Sequence, residues 1–120
     1  MTVIQTLTDA TLGDALEQPG LVVIDFWAPW CGPCRAMAPQ FERAARMRPA
    51  HRFAKVNVDE EPALAARFEI RSIPTLVVLR DGEVIGASPG VIGADQLVGA
   101  LDQLAPTPEP ETAFQESAIR

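Results

Sequence analysis

Two sulfurs three positions apart are the chemistry this sequence offers most plainly. Cys31 and Cys34 are its only cysteines, and Gly32 and Pro33 separate them. Ahead of them, the apolar run Leu21-Val22-Val23-Ile24 reads as a buried strand. Behind them, Met37, Phe41, Ala44 and Ala45 recur at helical spacing, so the pair stands where a strand turns into a helix. Pro33 suits the first helical position, which sets Cys31 near the helix N-terminus. Free N–H groups and a partial positive charge there favour a thiolate. An ordinary thiol, with a pKa of about 8.5, is only about 3% ionised at pH 7, so such help governs reactivity. Cys34 falls about one turn further in. An exposed, activated sulfur followed by a shielded one that resolves a mixed disulfide is what thiol–disulfide exchange requires. The competing reading is half of a structural zinc site. That needs four ligands, and the sequence adds only His51 and scattered carboxylates.

Two charged residues interrupt apolar strand patterns near this pair. Asp25 follows Val22-Val23-Ile24 and precedes Phe26-Trp27, where an ionised carboxylate costs several kcal/mol unless compensated. Lys55 sits likewise within Phe53-Ala54-Lys55-Val56. If these strands pair, the two charges lie near one another beneath the cysteines. The blander alternatives are a solvent-facing Asp25 at a strand end and a surface Lys55.

The remaining elements must position these groups. Val3 to Leu7 reads as a short strand, and Thr8 as the cap of a helix carrying Leu12, Ala15 and Leu16, ended by Pro19-Gly20. Strand two spans 21–27. A helix from about 33 to 47 contains Pro39, which removes a donor and should kink it. Arg52 to Val58 is a strand. Asp59 caps a short helix with Pro62 in its first turn and Leu64, Ala65 and Phe68 facing inward. Thr75–Leu79 and Glu83–Ala87 form a hairpin about Asp81-Gly82. Ala94, Leu97, Val98, Leu101 and Leu104 mark a final amphipathic helix. The order β-α-β-α-β-α-β-β-α implies three parallel strands joined by right-handed crossovers and an antiparallel hairpin, with helices on both faces of one mixed sheet.

Composition bounds the function. With 120 residues, 48% hydrophobic and 22% charged, the chain is one globular domain. A net charge of −6 argues against nucleic acid or an anionic membrane as partner. No apolar run approaches the roughly 18 residues of a membrane span. Met1 to Gln5 lacks the order of a signal peptide, so a cytoplasmic protein or a mature chain is expected. From Pro106 the text turns proline-rich and acidic, so residues 1–105 read as the domain and 106–120 as a flexible tail with Phe114 and Ile119 its large apolar residues.

The run from Asp25 to Arg35 resembles the active-site segment of the thioredoxin family, whose signature is Trp30-Cys31-Gly32-Pro33-Cys34. The match extends in motif order over residues 1 to about 105 and takes in Ile73-Pro74-Thr75. The wording FWAPWCGPCR and ARFEIRSIPT is similar to a subgroup with an extra N-terminal zinc module; these 120 residues hold none, so that feature is not expected here. The resemblance implies an α/β thioredoxin fold, with a five-stranded sheet of order 1-3-2-4-5 and four helices. It implies a protein disulfide reductase in which Cys31 attacks, Cys34 resolves, Asp25 moves a proton to or from Cys34 through water, and Lys55 tunes Asp25. It implies a cis Ile73-Pro74 bond, and a docking surface of Trp30, Gly32, Pro33, Ile73, Pro74 and Gly90. Proline at 74 would leave Ile73 backbone groups free for an extended substrate and block metal capture by the thiols. No cofactor is expected on the protein. Reducing equivalents would come from NADPH through a thioredoxin reductase, the substrates would be disulfide-containing proteins, and the chain would act as a monomer. Arg35 in place of the usual lysine, Pro89 beside Gly90, and the tail depart from the family pattern. Two other classes compete: an oxidase or isomerase outside the cytosol, and a binding module in which redox chemistry is secondary.

Overall fold

A computed structural model describes residues 4–17 and 19–105. Strand β1 (Gln5–Thr6) leads to α1 (Leu12–Leu16), β2 (Leu21–Trp27), α2 (Gly32–Met47), β3 (Arg52–Asn57), α3 (Pro62–Arg67), β4 (Thr75–Arg80), β5 (Glu83–Pro89) and α4 (Ala94–Leu104). The strands form one sheet in the order β1-β3-β2-β4-β5. β3 runs parallel to both β1 and β2, while β4 is antiparallel to β2 and β5. The expected mixed sheet and its order are therefore present.

Alternation along β2 explains why that strand is apolar at every position but Asp25. Leu21 and Val23 pack on one face with Met37, Phe41, Ala44 and Ala45 of α2 and Leu97, Val98 and Leu101 of α4. Val22, Ile24 and Phe26 pack on the other with Leu7, Leu12, Ala15 and Leu64. With period 2 along the strand, both faces of a central strand are core. Each large side chain so buried contributes about 1.5–3 kcal/mol. Phe41 meets Phe53 edge-on at 5.4 Å between ring centroids, which locks α2 to β3.

Local details differ from the sequence expectation at several ends. The first helix starts at Leu12, with Thr11 rather than Thr8 at its cap; the Thr8 N–H instead donates to Thr11 Oγ1 at 2.9 Å, closing a turn ahead of the helix. The third helix has Glu61 rather than Asp59 at its N-cap position, without a side-chain cap bond, so Pro62 takes the first helical position, where its missing N–H costs nothing. α2 starts at Gly32 and runs as one helix past Pro39, whose ring lies on its exposed side. Asp81 and Gly82 have φ of 54° and 82°, the left-handed pair that a tight two-residue hairpin requires.

The expected tail, 106–120, lies outside the described residues. Its proline-rich, acidic composition, with Phe114 and Ile119 as its large apolar residues, leads us to expect that deleting 106–120 moves the thermal midpoint by less than about 2 °C, the range of changes away from a core, and leaves disulfide reduction unchanged. A drop of several degrees would show that the segment stabilises the domain.

Candidate active site

Because β2 and β3 are parallel neighbours, their carboxyl ends open on the same edge of the sheet, where α/β proteins place their sites. The loop after Trp27 carries Cys31. Its backbone is extended (φ −89°, ψ 111°), and it serves as the N-cap of the 16-residue α2. Its Sγ accepts the Cys34 N–H at 3.1 Å, and the Cys31 N–H donates to Ala28 O at 3.2 Å. Cys31 and Cys34 are joined as a disulfide, with Cα atoms 5.2 Å apart.

Exposure does not separate the two sulfurs as expected. Cys31 is 4% exposed and Cys34 3%. Both are covered in the oxidised state, because Ala28, Trp27, Val58 and Ile73 pack around the pair. The difference between them is electrostatic. Cys31 Sγ faces a helix N-terminus and takes one of its free N–H groups, whereas Cys34 lies inside the helix.

The Ile73-Pro74 bond is cis, and Ile73 O lies 3.8 Å from Cys31 Sγ. The loop is tied at both ends. Thr75 Oγ1 donates to Ser72 O at 2.7 Å, and the Gly90 N–H donates to Pro74 O at 2.8 Å. Gly90 has φ +87°, which a side chain would strain. Of the expected docking residues, Trp30 (67% exposed), Gly32, Pro33 and Gly90 are open to solvent, and Ile73 is half-buried. Pro74 is buried, so it packs beneath this surface and is not part of it. An open groove of about 430 Å³ lies between Trp30 and Ile73, lined also by Val58, Ala65, Ile70, Arg71 and Ser72.

Asp25 pairs in register with Lys55 on one side and Leu76 on the other. It is 1% exposed, and neither carboxylate oxygen has a hydrogen-bond partner among the described residues. Burial pushes its pKa up from 3.8 to about 6, against the opposing pull of the Lys55 charge. The Lys55 ammonium stands 4.7 Å from the centroid of the Trp27 ring, a cation–π contact that fixes it beside Asp25. The expected pairing of the two strands thus sets Asp25 and Lys55 side by side in register.

Two contacts were not anticipated. Asp59, expected as a helix cap, accepts the Trp30 Nε1–H at 2.8 Å. Its place just beyond the end of β3, level with the loop after β2, was the available signal. Arg35 Nη1 donates to Pro29 O at 2.9 Å; spacing alone does not announce that bond. Among the described residues no group of three or more His, Cys, Asp or Glu could hold a metal, and no helix is long and apolar enough to cross a membrane.

Comparison with known proteins agrees with this geometry. Residues 3–103 match the thioredoxin family model. The chain is 41% identical over 105 residues to thioredoxin 1 of Synechococcus elongatus, covering 86% of this chain and 98% of that protein. It is 40% identical over 98 residues to a Staphylococcus aureus thioredoxin, covering 81% and 93%. The X-ray structure of Fasciola hepatica thioredoxin superposes with a TM-score of 0.77 at 36% identity, over 83% of this chain and 98% of that one. Sheet order, paired cysteines at a helix N-terminus and these relatives agree: the chain belongs to the thioredoxin family of protein-disulfide oxidoreductases, which act on disulfide-containing proteins by dithiol–disulfide exchange.

Proposed function

We propose that Cys31 is the attacking sulfur, Cys34 the resolving sulfur, and Asp25 the proton acceptor for Cys34, with the protein working in the reducing direction. The N-cap position of Cys31, with its Sγ on the Cys34 N–H, is the observation that carries this assignment. In the reduced protein the same N–H and the helix dipole favour the Cys31 thiolate. The thiolate attacks one sulfur of a substrate disulfide, and the other sulfur leaves as a thiolate. Cys34 then loses its proton by way of water to Asp25, and its sulfur attacks Cys31 Sγ. The second substrate sulfur is released. The substrate has gained two electrons, its two thiolates take up one proton from solvent and one returned through water from Asp25, and the protein is left in the disulfide state seen here.

A carboxyl with a pKa of about 6 suits the acceptor role, since it is mostly ionised at neutral pH yet more basic than an ordinary carboxylate. Lys55 keeps that value from rising further. Trp30, Gly32, Pro33, Ile73 and Gly90 form the surface that receives the substrate chain, above the buried Pro74, and residues 1–105 are the working unit. Regeneration needs a two-electron donor, which we assign to NADPH through a thioredoxin reductase, with no cofactor held on this chain. A reducing role fits a monomer in the cytoplasm, where thiols are kept reduced.

Alkylation tests the division of labour. Iodoacetamide in limiting amount, added to reduced protein at pH 7, should label Cys31 at least about tenfold faster than Cys34, because the thiolate is the reacting form. Peptide mass spectrometry reads the ratio. Equal labelling would remove the basis for distinct roles.

A further inference from the structure

We propose that Arg35 is a positioning residue, a clamp that sets the loop carrying Trp30 before a protein substrate arrives. This rests on the assignment of Cys31 as the attacking sulfur and adds a role for a side chain outside the thiol chemistry. Arg35 lies on the first turn of α2, and its Nη1 reaches back six residues to donate to Pro29 O at 2.9 Å. Its Nη2 lies 3.9 Å from where a Cβ on Gly32 would stand. The guanidinium therefore bonds the loop at Pro29 and lies near Gly32, the residues that flank Trp30 and Cys31 in the chain.

The rest of the loop explains why such a clamp matters. Pro29 and Trp30 are both exposed, and Pro29 has no N–H to give. Within the turn, the backbone contributes the Cys31 N–H to Ala28 O. The Trp30 ring is held at its far edge by Asp59, and among the described residues the Arg35 bond fixes the carbonyl just before its own backbone. Trp30 is thus held from two sides while presenting its face to solvent. A large exposed ring left free would have to be ordered on each binding event; fixing it beforehand lowers that cost. The flat fork of arginine suits this better than a lysine ammonium, because it bonds the carbonyl while lying along the loop.

The test compares Arg35→Met and Arg35→Lys with wild type on two substrates, a protein disulfide and a small aromatic disulfide. Met keeps the stem and removes the donor. With the protein disulfide, Arg35→Met should lower kcat/KM by about five- to tenfold, chiefly through KM, as expected for one lost charge-assisted bond and its positioning. With the small disulfide, which needs the sulfur and not the Trp30 platform, the fall should stay under about twofold. Lys, which retains a donor, should recover part of the loss. A rate within twofold of wild type on the protein disulfide, an equal loss on both substrates, or no recovery with Lys would each overturn the clamp. Cys31→Ser run alongside separates the two ideas. If it retains activity, the sulfur assignment fails; if it is inactive while Arg35→Met is normal, the clamp alone fails.

Discussion

Cys31→Ser should reduce the rate of insulin reduction by dithiothreitol to the uncatalysed background, a loss of at least about a thousandfold in kcat/KM as expected when a nucleophile is removed. The fold should survive the change. Cys31 occupies the N-cap of α2, and serine is among the favoured residues there, its hydroxyl able to accept the Cys34 N–H that Sγ now takes. Circular dichroism and a urea midpoint close to those of the reduced wild type would show that only the chemistry has gone. A variant that kept full biological activity without reductase activity would instead favour a binding module.

Asp25→Asn should be more stable than wild type at pH 8 and slower in turnover. In the folded protein the carboxyl has a pKa of about 6, against an ordinary 3.8. Below pH 3.8 the group is protonated in both states and its ionisation costs nothing. Between 3.8 and about 6 the unfolded chain ionises first, so the penalty on the folded state grows; above 6 it is complete. At 1.36 kcal/mol per pH unit the gap is worth about 3 kcal/mol, as an upper estimate for the gain on replacement. Urea denaturation should show that gain at pH 8 and only about a fifth of it at pH 4. The step in which Cys34 resolves the mixed disulfide should slow by about ten- to a hundredfold at pH 7. The wild-type inflection near pH 6 should vanish. A variant less stable than wild type at pH 8, or one with unchanged turnover, would refute a buried base.

Those two expectations draw on parts of the sequence that were unequally legible. β2 could be read to the residue because a central strand buried on both faces has no polar position except one, and the exception, Asp25, was itself the functional signal. The hairpin followed from Asp81-Gly82, since few pairs tolerate two left-handed residues. Strand order and the cis Ile73-Pro74 bond came from the family resemblance, because local pattern carries neither. The start of α1 was misplaced because Thr8 and Thr11 are equally good caps locally, and the structure uses both in one turn. Asp59 was misassigned for a similar reason. A carboxylate before Pro62 suits a helix start, yet its partner is Trp30, 29 residues earlier. The covering of Cys31 was out of reach, since it depends on Ile73, Val58 and Trp27 converging from three separate segments.

The order of attack is the centre of this account, and covalent capture tests it directly. Cys34→Ser and Cys31→Ser, each reduced, are mixed with an oxidised protein substrate, and the adducts are counted on a non-reducing gel. With Cys34→Ser the attack should proceed and stop, leaving one substrate linked through Cys31 to nearly every molecule. With Cys31→Ser almost none should be linked. Equal capture by the two variants, or capture by Cys31→Ser alone, would contradict the assignment of Cys31 as the attacking sulfur.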